Sequence, residues 1–92
     1  MKVENGTAYL EGKLTLENVA DMLDVGTKLM GEGVAVFDLS GLQQVDSSAL
    51  SLLLGWRRAA AASGQAVSFV GLPDSLLGLA KLYGVSDLIE AS

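Results

Sequence analysis

The sequence predicts an α/β domain on a mixed β-sheet, and three observations lead there. Two short alternating segments flank Asn5-Gly6. A continuous apolar run, "VAVFDL", and a second strand-like run, "AVSFVGL", stand further along. Stretches with helical spacing of apolar residues separate and follow these runs. Alternating strands and helices imply βα crossover units, and the 92 residues suit one domain, 1–92, in the order ββαβαβα plus a tail.

The elements follow in turn. Asn-Gly accepts the positive φ angles of a type I′ turn, so Lys2–Asn5 and Thr7–Glu11 read as a hairpin. Val3, Ala8 and Leu10 supply its apolar face, and Tyr9 points to the other side. Thr15 is positioned to cap a helix over "LENVADMLDVGTKLM", with Glu17 and Asp21 at the end that favours acids. Leu16, Val19, Leu23 and Met30 form its apolar stripe, with Gly26 on the same stripe at a close approach. "VAVFDL" suits a strand covered on both faces, and "SGLQQVD" a loop. "SSALSLLLGWRRAAAAS" is a second long helix closed by Gly64. After the strand "AVSFVGL", Pro73-Asp74-Ser75 caps a third helix, "LLGLAKLYG". The tail "VSDLIEAS" reads as a short helix or a final edge strand.

Composition narrows the function. Half the residues are hydrophobic, as a globular domain requires. Net charge is −5 and no basic run occurs, which argues against nucleic acid, since phosphate backbones are bound by clustered Lys and Arg. Without His or Cys, a Ser-His-Asp triad cannot form, and thiolate, zinc or copper sites lose their usual ligands. No phosphate-binding glycine loop occurs, and Glu11, Asp38, Asp46 and Asp74 form no recognisable catalytic pair. We therefore expect no enzyme, cofactor or metal. No window approaches the roughly 20 apolar residues that span a bilayer, and no signal-peptide pattern opens the chain, so a cytoplasmic protein without membrane insertion is expected.

The informative stretch is "VFDLSGLQQVDSSALSLLLGW", Val36 to Trp56. Projected at about 100° per residue, its helix gathers Ala49, Leu53, Trp56 and Ala60 on one side, flanked by Leu50 and Leu52. The opposite side carries Ser47, Ser51, Gly55, Arg58 and Ala62, with Ser48 and Leu54 at its margins. Solvated helix faces usually carry Glu, Lys and Gln. A strip of small residues instead lets another backbone approach, either a second layer of this domain or another protein. Asp46, Ser47 and Ser48 are all good N-cap residues. Capping alone accounts for such residues, yet one cap serves one helix, and a hydroxyl left over there would suit a phosphoryl group. In the third helix, Leu76, Leu77, Leu79, Leu82 and Tyr83 are apolar on more than one side. Burial against the sheet accounts for most of them, with Lys81 and Tyr83 at the rim.

These residues resemble the signature of the STAS-domain family, the anti-sigma-factor antagonists and their relatives. A strand ending in Asp-Leu (Val36–Leu39) leads to Val-Asp-Ser (Val45–Ser47) and a Leu-rich helix (Ala49–Leu54). "LLGLAKLYGVSDLI", Leu76–Ile89, is similar to the C-terminal segment of the MlaB-type members, subunits of a phospholipid-transporting ABC complex that maintains outer-membrane lipid asymmetry. The resemblance implies a mixed sheet with helices mainly packed on one face. It implies that Asp46, Ser47, Ser48, Ser51, Leu54, Gly55 and Arg58 form a surface for the ABC transporter ATPase. In signalling members, a kinase that is also an anti-sigma factor phosphorylates the position matching Ser47, making it the candidate phosphoacceptor. Where many relatives have glycine after this position, the chain has Ser48-Ala49, and Ser48 would narrow access to Ser47 or serve as an alternative acceptor.

Overall fold

A computed structural model describes residues 1–90, with the backbone alone at Glu90; Ala91 and Ser92, the end of the expected tail element, lie outside the described residues. The elements are β1 (Lys2–Glu4), β2 (Thr7–Leu14), α1 (Val19–Gly31), β3 (Val36–Val45), α2 (Ser48–Ala62), β4 (Ser68–Val70), α3 (Asp74–Leu82) and α4 (Ser86–Glu90). The strands form one sheet in the order β1-β2-β3-β4, the first pair antiparallel and the others parallel. The α/β class and the mixed sheet are as the sequence predicts, and the tail is a helix rather than an edge strand.

Asn5 and Gly6 both have positive φ, 52° and 78°, and close the β1–β2 hairpin. Two parallel crossovers then step the same way across the sheet, from β2 to β3 through α1 and from β3 to β4 through α2. Crossovers of one hand place both helices on one face. Against them the sheet turns Ala8, Leu10, Leu14, Phe37, Leu39, Leu42 and Phe69, all buried. Tyr9, Glu11, Ser40 and Val70 are exposed on the remaining surface of the sheet.

Three expectations give way here. β3 is covered on one face only, because both crossover helices lie on the same side. It also continues through "SGLQQV", expected as a loop, because β2 extends to Leu14 and offers a parallel partner along its length. The register shifts between Tyr9 and Glu11 and again between Gly12 and Lys13, each time placing one extra residue on β3. The first shift switches the inward positions from Phe37 and Leu39 to Leu42. Finally, α1 begins at Val19 rather than Leu16, which leaves Leu16 outside the helix and 78% exposed, while Leu23, within the helix at the edge of its inward stripe, is 38% exposed. Its inward stripe is Val19, Met22, Gly26, Leu29 and Met30.

The core centres on Trp56 of α2. Its ring stacks on Phe37 at 4.2 Å between centroids, and Phe69 lies 6.2 Å from Phe37. Gly26 lies directly over the indole, where a Cβ would fall inside the van der Waals envelope of the ring. The indole Nε1 donates to the Leu23 carbonyl at 3.3 Å, tying α1 to α2. α3 packs on α2 and α4, burying Leu76 and Ala80, while Leu82 and Tyr83 remain exposed.

Candidate functional site

The corner where β3 enters α2 is built around the Asp46 carboxylate. Its Oδ1 accepts from the Ser48 amide at 2.9 Å and from the Ser48 hydroxyl, and its Oδ2 accepts from the Leu16 amide at 3.0 Å. These bonds, the Ser48 hydroxyl foremost, hold the carboxyl below the usual Asp range. Asp46 thus performs the capping that its residue type suggests and also anchors the turn between β2 and α1. Ser48, half-buried, has its hydroxyl committed to Asp46. Ser47 is the formal N-cap, exposed, and its side chain makes no capping bond.

The face of α2 follows the sequence projection in most positions. Ala49, Leu50, Leu52, Leu53, Trp56 and Ala60 are buried. Ser47, Ser51 and Arg58 are exposed, and Leu54 and Gly55 are half-buried. Gly55 departs from the expected open strip. A Cβ there would meet Leu23 Cδ1 at 3.2 Å, so this glycine belongs to the contact between α1 and α2. Arg58 lies near the far end of the helix, about eleven residues and thus some 16 Å along its axis from Ser47.

Two open grooves flank Ser51. One, of about 310 Å³, is lined by Leu16, Val19, Ala20, Leu23, Ser48 and Leu52. The other, of about 260 Å³, is lined by Ser47, Leu50, Leu54, Tyr83 and Val85. Small polar side chains therefore form a ridge between two largely apolar depressions. Leu16 and Leu23 belong to this surface, whereas the sequence places them in the core. Leu16 lies before the helix begins and Leu23 at the edge of its inward stripe, so apolar identity alone does not mark these two as core. Tyr83, read from the sequence as the rim of the third helix, lines the groove beside Ser47 and Ser51.

A further depression lies on the sheet surface away from α1 and α2, lined by Lys2, Glu4, Tyr9, Glu11, Asp38 and Ser40. Asp38 there accepts from the Ser40 amide at 2.9 Å and the Ser40 hydroxyl at 2.6 Å, the latter being the larger cause of its lowered pKa. Lys2 pairs with Glu4 at 2.7 Å in solvent. Among the described residues no cluster of carboxylates could hold a metal ion, and no helix is long and apolar enough to cross a membrane.

Compared with known protein families, residues 2–90 match the family model described as "Mlab, STAS domain". No curated protein matches the chain.

Proposed function

This chain belongs to the MlaB-like STAS-domain family, and on that premise we propose that it is a non-enzymatic, cytoplasmic subunit of a phospholipid-transporting ABC complex. It docks on the ATPase subunit through the α2 corner and supports its assembly and activity. The observation that carries this reading is the family match over nearly the whole chain. The geometry of α2 supports the choice of surface. Ser47 and Ser51 are exposed and small, so a partner backbone can come close, and the apolar grooves on either side offer area to bury. The larger side chains at the margins, Leu54 and Tyr83, then fix the approach.

Ser51→Arg tests the surface. The position is exposed, so the arginine leaves the fold intact while its bulk and charge fill the ridge. The expected result is loss of co-purification with the ATPase subunit at an unchanged melting temperature, and Ser47→Arg should behave alike. Retained binding by both variants would refute the docking surface. Gly55→Glu is a poorer test, because it would press on Leu23 and disturb α1.

One observation favours a second reading. The Ser47 hydroxyl is exposed and makes no capping bond, as a phosphoacceptor in an anti-sigma-factor antagonist requires. A phosphate there would place a charge of about −2 on the ridge. Intact mass after incubation with a cognate anti-sigma kinase and ATP separates the readings: modification abolished by Ser47→Ala supports the switch, and an unmodified protein excludes it.

A further inference from the structure

We infer that Asp46 is a positioning residue: through the Leu16 amide it holds the β2–α1 turn so that Leu16 projects as an apolar anchor into an aliphatic pocket of the ATPase subunit. The inference rests on the docking reading above.

Leu16 is 78% exposed, more than any other large hydrophobic residue described. Its exposure is not that of a loose loop. Thr15 beside it is buried; its amide donates to Asn18 Oδ1 at 2.9 Å, and its carbonyl accepts from the Asn18 and Val19 amides at 3.0 Å. Asn18 Nδ2 donates to the Lys13 carbonyl at 2.9 Å, and Glu17 N donates to Thr15 Oγ1 at 3.3 Å. These bonds fix the shape of the turn, and the Asp46–Leu16 bond joins it to the start of α2. The turn also presents little net charge, because Lys13 Nζ pairs with Glu17 Oε2 at 2.7 Å.

A leucine on a turn whose backbone is hydrogen-bonded suits recognition, because no loop must be ordered when it binds. The groove beside it, containing Val19 and Leu23, reaches Ser48 and Ser51, so Leu16 and the serine ridge form one continuous surface. An aliphatic pocket that excludes water from Leu16 would make it one of the few residues that dominate an interface.

The test measures affinity for the purified ATPase subunit of the same organism's phospholipid ABC transporter, with melting temperature and Leu16 amide exchange recorded for each variant. Leu16→Ser should weaken binding at least about tenfold without lowering the melting temperature, and Leu16→Met should recover most of the affinity. Asp46→Ala, and Asp46→Asn as the milder variant, should weaken binding while the Leu16 amide loses protection. Wild-type affinity in Leu16→Ser, with binding lost in Ser51→Arg, would overturn the anchor and leave the docking surface standing. Wild-type affinity in both would overturn the docking surface and the anchor together. Weakened binding in the Asp46 variants with the Leu16 amide still protected would overturn the positioning role.

Discussion

Asp46 shows how much one side chain can organise. Its ionised carboxylate accepts all three of its hydrogen bonds more strongly than the neutral acid would, so they depress its folded pKa below the unfolded value. A depressed carboxylate contributes stability that is full above the unfolded pKa and is lost as pH falls through the folded one. The stability gap between wild type and Asp46→Asn should therefore be constant from pH 5 to 8 and should shrink below about pH 4, as thermal melts across this range would show. Asp38, held by Ser40, has the same sign, so the variant should retain part of the acid dependence. Gly26 makes the opposite kind of contribution, through an absent side chain. Gly26→Ala gains helix propensity of about 1 kcal/mol but drives a methyl group into the Trp56 indole. Overpacking of this kind costs about 1–3 kcal/mol, a sizeable part of a total near 5–15 kcal/mol, and urea denaturation should show a net loss.

At the scale of elements, what could be read from the sequence was local. The β1–β2 turn follows from Asn5-Gly6 alone, because few residues accept two successive positive φ angles. Gly6→Ala should consequently destabilise by about 1–2 kcal/mol while Asn5→Gly changes little, a contrast that denaturant midpoints would resolve. The inward face of α2 follows from the spacing of Ala49, Leu53, Trp56 and Ala60, since a helix turns the same way in any context. What could not be read was set by distant partners. "SGLQQV" carries glycine and glutamines that disfavour a strand in isolation, and its ladder exists because β2 lies alongside. Thr15 looks like the cap of a helix starting at Leu16. The Asn18 side chain instead closes a turn back to Lys13 and Thr15, while Asp46, thirty residues away, takes the Leu16 amide. The same limit governs the candidate site: the Ser47–Ser51 ridge is visible in the helical projection, whereas Leu16 joins the groove wall only because α1 starts at Val19.

For the whole molecule, the decisive feature is the division of labour between faces. Both crossover helices cover one face of the sheet, so α2 is buried on the side of Trp56 and leaves its small-residue side outward. The N-terminal corner of α2 then receives neighbours from both flanks: the β2–α1 turn with Leu16, and the end of α3 with Tyr83. A fold this small thus forms a composite surface from segments far apart in sequence. Cross-linking tests its use most directly. A photoreactive amino acid is placed at position 51 in the source cells, with a control at position 9 on the other side of the sheet, and the captured protein is identified by mass spectrometry. Position 51 should capture an ABC transporter ATPase and position 9 should not. Capture of a kinase-like anti-sigma factor from position 51, or of the ATPase from position 9 alone, would contradict it.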